Sequence, residues 1–174
     1  MTDDDVNRRL AHFIADQSGA DEARIERNDL LVGGAIQENR ALDVELVGGQ
    51  LSGVHALVLR TEALSSVPET RPLGQQFAML SAAYKVGATV PEPLWYCGDT
   101  LVTGRPFYLM RRIEGEALGS RVVRNAPHID LAQRLGEELA KIHTITPPRE
   151  DLHFLEHPLD SPAQDSIAKY RAYL

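Results

Sequence analysis

A single cysteine, Cys97, stands among the 174 residues, which excludes an internal disulfide and any metal site built from cysteines alone, and suits a reducing compartment. No apolar run approaches the roughly 20 residues needed to span a bilayer, so no membrane partner is expected. The start, MTDDDVNRRLAHF, is acidic where a secretion signal is basic, and the expected location is cytoplasmic. Basic charge is also scarce: 18 Lys and Arg against 25 Asp and Glu leave a net charge of −7. A nucleic-acid backbone would meet an unfavourable field, so nucleic acid is not an expected partner. There is no internal repeat and no low-complexity tract.

What is present fits a soluble globular chain, 43% hydrophobic and 25% charged, long enough for one ordinary domain or two small lobes. Val6, Leu10, Phe13 and Ile14 recur at helical spacing to about Gln17, with Thr2 or an early Asp as cap. Leu30 to Val32 runs into Gly33-Gly34, a weakly alternating stretch from Ala35 ends at Val47, and Gly48-Gly49 marks a turn before the apolar run Val54 to Leu59. One or two hairpins are expected. After a Ser, Pro and Thr-rich loop, Leu73, Phe77, Leu80 and Tyr84 form a helical stripe that Gly87 ends. Extended runs at Glu92–Cys97 and Phe107–Ile113 follow at hairpin spacing. A helical pattern through Leu131, Leu135, Leu139 and Ile142 stops at Pro147-Pro148, and Ser161-Pro162 opens a last helix. The order predicts an α+β fold, with an antiparallel sheet carrying one helix and then a helical region, and a joint near Glu114-Gly115.

Five segments in order carry a resemblance: Gly33-Gly34-Ala35-Ile36-Gln37-Glu38-Asn39, Leu57-Val58-Leu59-Arg60, Val90-Pro91-Glu92-Pro93-Leu94, Thr103 to Met110, and Leu139-Ala140-Lys141-Ile142-His143. Together they resemble the front half of the aminoglycoside-phosphotransferase-like kinases, a choline-kinase-related, protein-kinase-like family. The resemblance implies a nucleotide-binding N-lobe over 1–113, then a hinge exit and the truncated start of a helical C-lobe over 114–174. It implies ATP or another nucleoside triphosphate with Mg2+ as cofactor, and a small hydroxylated acceptor. By this likeness the backbone of Gly33, Gly34, Ala35 and Gln37 would approach the phosphates. Taken alone, a glycine pair is more often an ordinary turn. Arg60 stands where kinases keep a strand lysine on the α- and β-phosphates, and Gln76 where a glutamate usually holds that cation. Each reads equally as a surface residue from spacing alone. Met110 would sit behind the base, with the Arg111 carbonyl and the Ile113 N–H bonding its edge. Ile36 replaces the small hydroxyl residue common in related kinases.

The chain contains no His-Gly-Asp loop with a downstream asparagine and no later metal-binding aspartate, so no catalytic or metal-ligating residue is expected within it. His128-Ile129-Asp130 has Leu135 five residues after its aspartate, and Asp130 serves more simply to open the next helix. His143 reads as a helix-end histidine, and His153 with His157 as loop residues rather than a metal pair. The expectation is the ATP-binding portion of a phosphotransferase, inactive alone. The alternative is a non-catalytic nucleotide- or protein-binding relic, and a lobe without its mate would favour a homodimer.

Overall fold

A computed structural model describes residues 3–31, 38–62, 70–116, 118–125, 130–146, 148–155 and 161–172. Helix α1 (Asp3–Ser18) forms where Leu10 and Ile14 stack one turn apart and bury completely, 1% and 0% exposed. It ends at Gly19, whose left-handed backbone (φ 68) lets the Ala20 N–H reach back to the Ala15 carbonyl at 3.1 Å. Strands β1 (Glu22–Leu31), β2 (Glu38–Val47) and β3 (Gly53–Thr61) form a meander. Helix α2 (Leu73–Lys85) then crosses to β4 (Pro93–Cys97), and β5 (Phe107–Arg111) returns between β3 and β4. The sheet order is β1-β2-β3-β5-β4, antiparallel throughout.

Alternation along the strands sorts the side chains to two faces. One carries Leu42, Val44, Leu46, Leu57, Leu59, Phe107 and Leu109, which bury against Leu10 and Ile14 of α1. Phe13 meets Phe107 edge-on at 5.2 Å and closes this core. Each such side chain taken from water contributes about 1.5–3 kcal/mol, so α1 is held mainly by its apolar stripe. Helix α2 lies on the other face, where Phe77 packs on Tyr108 and Tyr96 at 5.5 and 6.0 Å between ring centroids.

The predicted α+β order is present, with several differences. Strand β1 starts at Glu22, well before the Leu30 at which the sequence showed a strand, because its outward residues are charged and a bulge between Ile25 and Arg27 breaks the alternation. The β4–β5 connection holds a one-turn helix, α3 (Thr100–Thr103), capped by Asp99 through its carboxylate to the Leu101 N–H at 2.8 Å and closed by Gly104 at φ 88. Strand β5 stops at Arg111, two residues short of the expected Ile113. Helix α4 (Gly119–Asn125) was not foreseen, whereas α5 (Leu131–His143) and α6 (Pro162–Arg171) fall where the patterns put them. Asp130 opens α5 by position but makes no side-chain cap bond. Among the described residues no helix is long and apolar enough to cross a membrane.

Candidate functional site

On the α2 face of the sheet the register sets two rows of side chains across the strands. Asn39, Arg60, Tyr108 and Tyr96 align from β2 through β3 and β5 to β4. One step along, Ala41, Val58 and Met110 align in the same way. The second row is an apolar floor: Ala41 is 1% and Val58 8% exposed, with Met110 half-buried. The first row is polar and beside it. Its Tyr108 phenol is pushed up by burial, and the positive charge of Arg60 partly opposes that rise. The Asn39 amide oxygen is buried without a hydrogen-bond partner, a state that normally costs about 1–3 kcal/mol.

A third row closes the floor with charge. Ala56 pairs with Asp43, and the Arg112 N–H donates to the Ala56 carbonyl at 3.0 Å. The small Ala56 side chain lets the Arg112 guanidinium cross β3 to bond the Asp43 carboxylate at 2.6 Å. Arg60 and Arg112 therefore lie in the rows on either side of the apolar row.

Of the residues singled out by sequence, Arg60 and Met110 share this face. Gln76 is half-buried on α2 beside Phe77, and its side-chain nitrogen donates to the Arg71 carbonyl at 2.7 Å. The Arg111 side chain belongs to the opposite face, where it donates to Glu92 at 3.1 Å and meets His55 Nδ1 at 2.6 Å. A guanidinium can only donate, so His55 Nδ1 accepts and its Nε2 carries the proton toward the Leu51 carbonyl, 2.6 Å away. This network anchors the end of β5, where the Arg111 N–H also bonds the Glu92 carbonyl at 2.9 Å. Ile113 follows the strand and is exposed. Gly33, Gly34, Ala35 and Gln37 lie outside the described residues, as does Ile36, but β1 and β2 pair as far as Leu31 opposite Asn39, so the strands that bracket them meet at the polar row.

Asn39 and Tyr108 stand within two of the resembling segments, but the sequence gives neither of them a site role. The signal was there in principle, since each stands one cross-strand step from Arg60, but it could be used only once the register was known. His143 is the exposed last residue of α5, and the His153 ring bonds the Glu150 carbonyl at 2.7 Å; His157 is outside the described residues. Among the described residues no three His, Cys, Asp or Glu side chains gather as a metal site.

Known proteins resemble the chain over much of this region. Acyl-CoA dehydrogenase family member 11 from Gallus gallus is 32% identical over 101 residues, and its Homo sapiens and Pongo abelii counterparts are 29% identical over 94 and 100 residues. Each alignment covers 53% of this chain and 12% of the relative, so the chain spans only a small part of the length of these proteins. A solved structure from Ralstonia eutropha, described as an aminoglycoside phosphotransferase, superposes with a TM-score of 0.45 at 18% identity, over 64% of this chain and 29% of that one. The family model described as Phosphotransferase enzyme family, APH, matches residues 34–173. With the match running over most of its length, the chain belongs to the APH phosphotransferase enzyme family.

Proposed function

We propose that the chain is the nucleotide-binding part of an ATP-dependent phosphotransferase that acts on an alcohol group of a small molecule. One observation carries this reading: an apolar row, Ala41, Val58 and Met110, runs beside a polar row holding Arg60 and Asn39, whose buried amide oxygen has no hydrogen-bond partner. A flat apolar base suits the first and a phosphate chain the second. Bound there, ATP supplies the phosphoryl group. Arg60 neutralises phosphate charge with a planar pair of donors, and the Gln76 amide oxygen steadies that guanidinium in place of the usual carboxylate. The Asn39 amide, turned by half a rotation, offers its NH2 to a phosphate oxygen. The backbone of Gly33, Gly34, Ala35 and Gln37 covers the phosphates, and the Arg111 carbonyl with the Ile113 N–H holds the base where N-lobe 1–113 meets the helical segment 114–174. Mg2+ is held mainly by groups beyond the described residues. The acceptor panel should include hydroxylated acyl-CoA compounds beside aminoglycosides, because the relatives carry acyl-CoA in their name.

The test is thermal unfolding with Mg-ATP. At one hundred times Kd a site specific to the folded chain adds about 2.7 kcal/mol, or roughly 5–10 °C for a chain of this size. Arg60→Ala should remove most of the shift and Arg60→Lys should restore part of it. No shift in the unmodified chain would overturn the proposal. With no His-Gly-Asp loop in the sequence, phosphotransfer by the chain alone is expected to be undetectable.

A second reading, a non-catalytic partner-binding module, is favoured by the apolar face of α5, where Leu135 and Leu139 are 61% and 51% exposed. It predicts self-association in sedimentation together with no Mg-ATP shift. A monomer that binds ATP would count against it.

A further inference from the structure

On the face of the sheet opposite the proposed nucleotide site, a cavity of about 240 Å3 opens between the first half of α1 and the ends of β2 and β3. Its wall includes Val6, Leu10 and Leu59 on one side and Asn28, Arg40 and Arg105 on the other. The polar side is a connected network. Asn28 donates to Asn7 and accepts from Arg40, both at 2.6 Å. Glu38 bridges the two arginines, 3.4 Å from Arg40 and 2.8 Å from Arg105, and Arg105 also donates to the Glu62 carbonyl at 2.7 Å. The two guanidinium groups against one carboxylate leave a single excess positive charge. Glu38 stays ionised here, its carboxyl held below the usual range first by the Arg105 hydrogen bond.

Thr61 also lines the cavity, is 4% exposed, and has a buried hydroxyl oxygen with no hydrogen-bond partner. A χ1 step would exchange the positions of its methyl and hydroxyl. The volume far exceeds what one water requires. A phosphate dianion would overmatch one excess charge, and a neutral polyol would leave that charge uncompensated. An anion of charge −1 with a short apolar tail satisfies both walls.

We propose that this cavity is a binding site for a small monocarboxylate, its carboxylate held by Arg105 and the Thr61 hydroxyl and its tail lying against Val6, the partly exposed member of the apolar wall. The site is separate from the nucleotide site, but Thr61 directly follows Arg60 on β3, so occupancy and the phosphate-facing cation share one strand segment.

The experiment is a titration of the 174-residue chain, labelled with 15N, with sodium butyrate against sodium chloride at equal ionic strength. The expected result is saturable shifts of the Thr61 backbone amide and of the Asn7 and Asn28 side-chain amides, weakened at least fivefold in Thr61→Val. That variant keeps the shape of the side chain and removes an unsatisfied hydroxyl, so it should fold as well as the parent. Absence of saturable shifts, or equal binding by Thr61→Val, overturns the site. Tighter binding of inorganic phosphate than of butyrate overturns the monocarboxylate assignment.

Discussion

At the scale of single residues, the backbone demands of two glycines can be separated. Gly19 and Gly49 both lie in the left-handed region, at φ 68 and 70. A Cβ at Gly19 meets nothing within 4 Å, whereas at Gly49 it collides with the Gly19 carbonyl. Gly19→Ala should therefore cost about 1–2 kcal/mol, the penalty of the left-handed backbone alone, and Gly49→Ala distinctly more because backbone must also move. Urea unfolding of the two variants checks the order, and equal midpoints would contradict the collision. The Gly48-Gly49 pair was legible as a turn before the structure. That its second member rests against the end of α1 was not, because the contact is distant in sequence.

Among the elements, α2 shows how a periodic pattern reveals an element without its partners. The stripe Leu73, Phe77, Leu80 and Tyr84 specified the helix, yet only Leu73 of the four is fully buried and Tyr84 is 43% exposed. The rings that meet Phe77 come from β4 and β5 and lie 19 and 31 residues on (Tyr96, Tyr108). Phe77→Ala should cost about 2 kcal/mol, less than the 3–5 typical of a fully buried Phe, because Phe77 is half-buried. Met79, on the exposed side of the same helix, should change stability by under about 0.5 kcal/mol when cut to Ala. Denaturant midpoints of both variants decide it, and similar losses would mean that helix propensity, not the aromatic contact, sets the stability. Strand β1 is the opposite case. Its Glu22, Arg24, Arg27 and Asp29 form exposed ion pairs rather than an apolar row, so neither propensity nor alternation announced it.

For the molecule as a whole, the informative contact is the one that joins α5 to the segment between α2 and β4. The Glu138 carboxylate accepts from the Thr89 N–H at 2.6 Å and the Thr89 hydroxyl at 2.8 Å, and pairs with Lys141 at 2.7 Å. The sequence showed the α5 stripe but not this anchor, since its two halves lie 49 residues apart. The Lys141 hydrogen bond first, and then the two Thr89 bonds, bring the Glu138 pKa down from 4.5 to about 2. A carboxyl depressed in the folded chain contributes its stabilisation fully above its unfolded value and loses it as pH falls toward the folded one. The anchor should hold at pH 5, weaken from about 4.5 downward and be gone below about 2. A carbon-13 titration of the Glu138 carboxyl should give a midpoint well below 4.5. At pH 6, Glu138→Gln should speed hydrogen exchange at the Thr89 amide by severalfold and leave the α1 core amides unchanged, because the substitution removes the charge that strengthens both Thr89 bonds and touches nothing in that core. An ordinary carboxyl midpoint, or exchange that rises in α1 as well, would mean that α5 is fastened to the sheet in some other way than through Glu138.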